Sequence, residues 1–529
     1  MYKVIATDGF DASGVDIFTQ AGGIQLEVRK STSAEELLQL IGAYDGLIVR
    51  SATKVTAAVI AAGTKLKVIG RAGVGVDNVD VPAASRRGIV VMNTPEANTI
   101  STAEHTLAMM FALARQIAQA DATMKQGKWE KKALKGVELY GKTIGVIGFG
   151  RIGRWVARIC KSIGMDVLAY DPQVTAERVR EAEAVPATLD EIYAKSDVIT
   201  VHTPLNSATK NLICAATMAK MKKGVLLVNC ARGGIINEQE LCDAIEAGQV
   251  AGAALDVFVK EPTDNARVQQ YPQLTLTPHI AASTEEAQSK VSVEIARQLV
   301  RYLNDGVIAN AVNVPSMDAE KMRKVMPFVE LGGRLGSVLA QIARGTTTAL
   351  EITYEGTLES TEVTPITNAI ICGMLAHSME GVNQVNARLL AVECGMTVTE
   401  RKTSARSAYT NLIRLDATVQ GRGPTSIAGT IFGDDQQHPR IVRVNHFHVD
   451  AIPEGFLLFL VHRDAPGVIG KIGTVLGDAK ININRMTCDR LKPGETSVGV
   501  FSIDQDTPAS VLATLNAIPG IVEAIRVAL

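Results

Sequence analysis

Glycines at 148, 150 and 153 punctuate the segment ValIleGlyPheGlyArgIleGlyArg, residues 146–154, in which an apolar run leads into a helix-forming sequence. The pattern reads as a strand, a tight turn and a helix N-terminus, an arrangement that presents backbone N–H groups to a pyrophosphate. Gly148 permits the turn, Gly150 lets the backbone approach the ligand, and Gly153 lets helix and strand pack closely. Such spacing also arises by chance, so the context has to decide. A second short run, AspValLeuAlaTyrAsp, ends in Asp171. A carboxylate there accepts from an adenosine 2'-hydroxyl and repels a 2'-phosphate. No Arg or Lys follows directly, so the pair points to NAD rather than NADP. The alternative for Asp171 is a turn residue before Pro172.

Three further polar residues fall in loops after expected strands, where an α/β sheet gathers its ligands: Arg232 in AsnCysAlaArgGlyGly, Glu261 in AspValPheValLysGluPro, and His279 in ThrProHisIleAla. Taken singly, each has a plain alternative: a surface or capping His279, a solvated Glu261, and Arg232 in a salt bridge.

The elements that must position them come in blocks. Residues 1–95 alternate expected strands (3–7, 25–29, 46–50, 67–70, 89–92) with helices (11–21, 33–42, 55–62), the mark of a parallel wound sheet. Ser101 and Glu104 form a capping box that opens one long helix to about residue 125, a domain connector or subunit contact. From 143 the strand–helix alternation resumes through 276, which suits a six-stranded nucleotide domain inserted into the first. A helix at 284–304 returns the chain to the first domain, and ValProSerMetAsp at 314–318 reads as a linker. Beyond it, helices near 322–343, 364–379 and 383–394 precede strands at 425–432 and 440–449. The final segment predicts a βαββαβ order, a ferredoxin-like unit. The expected domains are 1–97 with 281–316, 98–280, 317–452 and 453–529.

With 54 Lys and Arg against 55 Asp and Glu, no charge footprint for nucleic acid or an anionic membrane exists. The seven scattered cysteines lack metal-like spacing, so no metal is expected and free thiols in a reducing compartment are. His446 and His448 share one face of the expected strand 440–449 and read as surface histidines, since no third ligand is evident.

The motifs ValIleGlyPheGlyArgIleGly, ValHisThrProLeu (201–205), ValAsnCysAlaArgGlyGlyIleIleAsnGluGlnGluLeu (228–241), AlaLeuAspValPhe (254–258) and ThrProHisIleAla (277–281) together resemble the D-isomer-specific 2-hydroxyacid dehydrogenases over about residues 1–316. The resemblance implies a flavodoxin-like substrate domain, an inserted Rossmann NAD domain, and hydride transfer from C2 of a 2-hydroxy acid. It makes His279 the acid/base, since imidazole titrates near 6.5. Glu261 would orient its ring, and Arg232 would hold the substrate carboxylate in its fork. For the cofactor it carries over Arg151 and Ile152 at the pyrophosphate, Asp171 at the ribose, Thr203 and Pro204 at the adenine, Cys230 and Ala231 beside the nicotinamide, Asp256 at its carboxamide, and Val74 as a further contact. Cys230 is read as packing, because the family uses no covalent intermediate. Substrate choice falls to Arg50 and Ser51 after one strand and to Arg71 and Gly75 after another, where a glycine-rich turn offers backbone N–H groups to a carboxylate and the arginines suit a phosphate. Lys131 and Lys132, after Trp129, are implied to reach a neighbouring subunit's site.

HisArgAspAlaProGly (462–467) and LysIleAsnIleAsn (480–484) resemble an ACT domain, an amino-acid-sensing module. His462, Asp464 and Asn482 are the implied L-serine contacts, with Asp464 standing where some serine-regulated members carry Asn. The stretch between the catalytic half and the ACT unit resembles the α+β intervening module of long forms, with Arg440, Arg443 and Lys471 as anion candidates. Over the whole chain the resemblance is to ACT-terminated long forms that oxidise 3-phosphoglycerate to 3-phosphohydroxypyruvate, the first step of serine synthesis, as homotetramers. A first segment that reads as a strand and the lack of an apolar run of about 18 residues make the cytoplasm the expected location. Two other readings stay open on the sequence alone: a glyoxylate or hydroxypyruvate reductase, and an NAD-sensing transcriptional corepressor on the same fold.

Overall fold

The computed structural model describes residues 1–314, 319–404, 408–433 and 438–529. Most of the expected linker at 314–318 therefore lies outside the described residues. Strands β1 (Tyr2–Ala6), β2 (Ile24–Val28), β3 (Gly46–Val49), β4 (Val68–Arg71) and β5 (Val90–Asn93) form a parallel sheet in the order β2-β1-β3-β4-β5. This is a flavodoxin-like winding. All four residues of β3 are buried, as a parallel strand covered on both faces requires. Helix Glu285–Asp305, capped by Thr284 and ended by the left-handed Gly306, returns to this sheet. Its Val291, Ile295, Ala296 and Leu299 share one core with Val4, Phe18, Ile48, Val68 and Val90.

Between these parts runs a second parallel sheet: β6 (Thr143–Ile147), β7 (Asp166–Tyr170), β8 (Val185–Pro186), β9 (Val198–Val201), β10 (Val225–Asn229), β11 (Val250–Leu255) and β12 (Leu274–Leu276). The order β12-β11-β10-β9-β6-β7-β8 is the Rossmann winding. It has seven strands rather than six, because two residues, Val185 and Pro186, pair with β7.

The expected single helix from Ser101 to about 125 is two. Helix Thr99–Ala114 starts before Ser101, without a side-chain cap, and buries Ala103, Leu107, Met110 and Leu113. Gln116 then takes φ 56°, and helix Ile117–Lys125 buries none of its residues. The break lies where the sheet no longer covers the helix: the returning Val137 N–H donates to the Ala114 carbonyl at 2.7 Å and occupies the helix end. The Ser101 hydroxyl bonds Thr284 Oγ1 at 2.9 Å instead of capping a helix.

The third sheet comprises β13 (Thr347–Gly356), β14 (Thr397–Thr403), β15 (Asn411–Val419), β16 (Thr425–Phe432), β17 (His438–Val444) and β18 (Phe447–Ala451), antiparallel except for β13 with β14. The expected strand 440–449 is thus a hairpin. Asn445, at φ 52°, turns the chain, as Asn tolerates more readily than most residues. His446 lies in that turn and His448 on β18, so they do not share a strand.

The last sheet holds β19 (Phe456–Arg463), β20 (Ile483–Arg490), β21 (Thr496–Ile503) and β22 (Ile521–Ala528) in the order β20-β21-β19-β22, antiparallel, with helices Val468–Asp478 and Ala509–Asn516 on one face. Leu457, Phe459, Val498 and Val527 on the other face join Val338, Leu339 and Ile342 of helix Ala319–Ala343, so the third and fourth sheets share a core. Asn383 Nδ2 donates to the Gly88 carbonyl at 2.8 Å, tying this half to the first sheet.

Candidate active site

The strand order of the second sheet reverses between β6 and β9, which opens a crevice at their carboxyl ends. Gly148 sits there at φ 94°, and a Cβ would lie 2.6 Å from the His202 carbonyl. A Cβ on Gly153 would overlap the Gly148 carbonyl, while the space around Gly150 is open. Gly150 caps helix Arg151–Ser162 with no side-chain bond, which leaves the first-turn N–H groups uncapped by side chains. Asp171 is tied to this turn: its carboxylate accepts from Phe149 N at 2.8 Å and from Gln173 N at 2.9 Å. Ile152 packs on the core beneath.

Across the crevice, Thr203 Oγ1 and His202 Nδ1 are buried without partners among the described residues. Burial pushes the His202 pKa down to about 4, so its ring is neutral at working pH. Pro204 is exposed, and the Arg151 guanidinium pairs with Glu96 at 2.8 Å. A glycine cradle, free helix-start N–H groups, an acidic strand end and an unpartnered hydroxyl suit a dinucleotide. Gly153→Ala forces the helix away from the turn and costs about 1–3 kcal/mol, as overpacking does elsewhere. The expected results are a lower melting temperature and weaker binding of NADH in a fluorescence titration.

His279 lies in the loop after β12 in a left-handed backbone conformation, φ 55°, that few non-glycine residues adopt. Its Nδ1 meets Glu261 Oε2 at 2.7 Å, and both side chains remain about two-fifths exposed, so a ligand can reach the ring. Glu261 Oε1 accepts from Phe258 N at 3.1 Å. Burial works to raise the Glu261 carboxyl, but the bonds from His279 and Phe258 outweigh it and hold it below the usual range.

Asp256 is fully buried. Its carboxylate takes Thr277 Oγ1 at 2.6 Å, Ile280 N at 2.9 Å, Ala281 N at 3.0 Å and His105 Nε2 at 3.2 Å. Burial opposes ionisation, yet the bonds from His105, Thr277 and the two amides win and lower its pKa from 3.8. A carboxylate lowered in the folded state adds stability above its unfolded pKa, and that stability is lost as pH falls through the folded value. The melting temperature of the wild type is therefore expected to drop more steeply below about pH 4 than that of Asp256→Asn, read by thermal melts from pH 7 to 3.

Facing this pair is a cleft of about 680 Å³ lined by Ser51, Lys54, Arg71, Val74, Gly75, Asp77, Arg232, Glu261 and His279 among others. Arg232 follows β10, where Asn229 holds the turn by donating to the Arg232 carbonyl at 2.8 Å and accepting from Ala231 N at 3.0 Å. Its Nε donates to Asp77 at 2.9 Å. Gly73 and Gly75 admit the guanidinium groups of Arg71 and Arg232, which a Cβ at either position would overlap. Burial, with Arg232 nearby, lowers the Arg71 pKa to about 10, still protonated at neutral pH, and its buried Nε has no partner. Arg50 is held through its backbone: its N–H donates to Asp8 and its carbonyl accepts from Asn78, both at 2.7 Å. Cys230 is buried, which pushes its thiol up to about 12 and keeps it protonated, in keeping with packing.

Other expected residues lie elsewhere. Lys131 and Lys132 are exposed and outside the cleft of their own chain. On the fourth sheet His462 is buried, with Nδ1 3.0 Å from the Arg463 carbonyl and Nε2 unpartnered. Asp464 pairs with Arg490 at 2.5 Å, and Asn482 N donates to Asp504 at 3.0 Å. Arg440 lines a cavity of about 580 Å³ with Arg323, Arg334 and His438, whereas Arg443 and Lys471 do not.

Sequence reasoning missed Lys54, Asp77, Asn78 and Asp8. The nearest signal was AspAsn at 77–78, which ends the glycine-rich stretch GlyArgAlaGlyValGlyValAspAsn at 70–78. Asp8, at the carboxyl end of β1, could have been found by the same strand-end rule that selected Arg50.

A D-isomer-specific 2-hydroxyacid dehydrogenase NAD-binding domain matches residues 107–281, a D-3-phosphoglycerate dehydrogenase intervening domain residues 324–445, and an ACT domain residues 456–520. The chain is 42% identical to a D-3-phosphoglycerate dehydrogenase of Synechocystis, covering 100% of this chain and 95% of that protein. It is 41% identical to one of Archaeoglobus fulgidus, covering 100% of both, and 39% identical to one of Bacillus subtilis, covering 99% of this chain and 98% of that protein. Among solved structures, the TT0316 protein of Thermus thermophilus matches 59% of this chain and 99% of its own, with 31% identity and a TM-score of 0.53. A glyoxylate reductase of Paecilomyes thermophila matches 59% of this chain and 98% of its own, with 29% identity and a TM-score of 0.54. That likeness covers only part of the chain, whereas the D-3-phosphoglycerate dehydrogenases match from end to end. The chain belongs to the D-3-phosphoglycerate dehydrogenase family, with an NAD-binding domain of the D-isomer-specific 2-hydroxyacid dehydrogenase type, an intervening domain and an ACT domain.

Proposed function

We propose that this enzyme oxidises 3-phospho-D-glycerate to 3-phosphohydroxypyruvate with NAD, the opening step of L-serine synthesis. The observation that carries the reading is the His279–Glu261 pair facing two arginines, Arg71 and Arg232, across one cleft. The substrate brings a carboxylate and a phosphate of about −1.5 to −2 charges, which calls for several fixed cations. Arg232 holds the carboxylate in its fork and polarises the C2 oxygen. Arg71, half-buried on the cleft wall with Lys54 and with Arg50 near enough to act on its charge, receives the phosphate.

Bound NAD supplies the hydride acceptor for C2. Gly148, Gly150, Gly153, Arg151 and Ile152 would hold its pyrophosphate and Asp171 its ribose. Thr203 and Pro204 would line the adenine, with Val74, Cys230, Ala231 and Asp256 toward the nicotinamide. His279 Nε2 takes the C2 hydroxyl proton, and Glu261 on Nδ1 fixes the tautomer and stabilises the imidazolium that forms. In reduction His279 returns that proton to the C2 oxygen. The test is substrate deuterated at C2: the account predicts label in the product NADH, and its absence would contradict direct transfer.

The same reading extends to a cytoplasmic homotetramer in which Lys131 and Lys132 serve a neighbouring site. L-serine then binds the ACT unit around His462, Asp464 and Asn482. Asp464 is committed to Arg490, so serine has to share or displace that partner.

A further inference from the structure

The chain crosses between the first and second sheets at 94–101 and again at 277–285. The two crossings touch through Ser101 and Thr284. His279 lies on the second crossing, so a rotation of one sheet unit against the other would be passed on to its ring unless the loop is fastened to one side. Asp256, at the end of β11, accepts both N–H groups just after His279, those of Ile280 and Ala281. His105, on helix Thr99–Ala114, closes the arrangement: its Nε2 is 3.2 Å from both Asp256 Oδ1 and Thr277 Oγ1, and Thr277 Oγ1 donates to the same carboxylate oxygen. The neighbours of His105 on that helix, Ala103, Leu107 and Met109, belong to the core of the second sheet.

We propose that His105 is a positioning residue that, through Asp256, fastens the 277–281 loop to the NAD-binding unit. His279 and the nicotinamide side then move as one body, while Arg71 and the 73–78 loop move with the first sheet. His105 donates to Asp256 from a protonated Nε2, a proton that both the Nε2–H tautomer and the imidazolium carry. A buried carboxylate already serving three donors loses its fourth when His105 is removed, and the penalty falls on the loop it organises. The left-handed backbone at His279 depends on that loop being held, because such a conformation persists only when its surroundings over-determine it.

This inference rests on the reading of His279 as the acid/base, and its test separates the two. Amide hydrogen exchange of the full chain is compared for wild type, His105→Leu and His105→Gln, together with steady-state kinetics and NADH affinity. In His105→Leu, exchange of the 277–284 peptide is expected to accelerate at least about tenfold while the β9 and β10 peptides keep their protection. Its kcat falls by roughly 10²-fold, the usual cost of a small misplacement of a reacting group, with NADH affinity little changed. His105→Gln, which keeps a donor, restores most of the protection and of kcat. Unchanged exchange at 277–284 in His105→Leu overturns the clamp, as does a Gln variant no better than Leu. Because exchange needs no substrate, lost protection in a chain inactive on 3-phosphoglycerate supports the clamp and contradicts only the catalytic reading.

Discussion

Replacing His279 by glutamine is expected to lower kcat for NADH formation by about 10²–10⁴-fold, the range that positioned general bases supply. Glutamine keeps the approximate volume and a hydrogen bond toward Glu261, so the 2.7 Å contact is replaced rather than emptied. It cannot take a proton. NADH binding should stay within about twofold, because the glycine turn and Asp171 lie just after β6 and β7, away from this loop; a 1.4 kcal/mol change would already be tenfold. Glu261→Gln should follow with a smaller loss, about 10²-fold, since the ring keeps an acceptor but the imidazolium loses its counter-charge. Steady-state assays paired with NADH fluorescence titrations check both. A His279→Gln enzyme with full turnover would remove His279 from the chemistry.

The second large effect concerns the arginines, which should separate by substrate. Arg232→Gln leaves a carboxylate without its fork, and truncating one partner of a hydrogen-bonded charge pair costs about 2–5 kcal/mol, or roughly 30- to 5,000-fold in kcat/KM. The loss should apply to any 2-hydroxy acid, because the carboxylate is common to all. Arg71→Met should instead raise KM for 3-phosphoglycerate by about 10- to 100-fold. It should leave kcat/KM for an unphosphorylated 2-hydroxy acid nearly unchanged. Arg71 is set apart by its place on the cleft wall beside Arg232, whose Nε is already paired with Asp77, so that an incoming phosphate would meet two guanidinium groups with one carboxylate between them. Equal losses on both substrates in Arg71→Met would assign it to the architecture of the cleft.

Much of this was legible in the chain because parallel sheets place their ligands by rule. Strand-end loops carried Arg232, Glu261 and His279, and the winding of both sheets followed from the alternation of apolar runs and helices. What escaped depended on tertiary cover. The break at Gln116 is set by where the sheet stops burying the helix, which the continuous apolar stripe through residue 118 does not reveal. The hairpin at Asn445 was hidden because only two polar residues, Asn445 and His446, separate the β-prone stretches on either side, with no glycine or proline to mark the turn. Asp77, Asn78 and Asp8 act through long-range bonds, such as Asp77 to Arg232, whose partners no local pattern names. Asp256 is the instructive case. Family likeness assigns it to the nicotinamide carboxamide, while its four donors also make it the anchor of the His279 loop.

The central claim is that the cleft selects a phosphorylated D-2-hydroxy acid and oxidises it with NAD. The most direct measurement is kcat/KM for NADH formation at alkaline pH with 3-phospho-D-glycerate, set beside D-lactate, D-glycerate and glycolate under the same conditions. The account predicts that 3-phospho-D-glycerate leads the others by about 10²-fold or more, the contribution expected of charge-assisted bonds to one phosphate. An enzyme that turns over D-glycerate or glycolate as well as, or better than, the phosphorylated acid would contradict it.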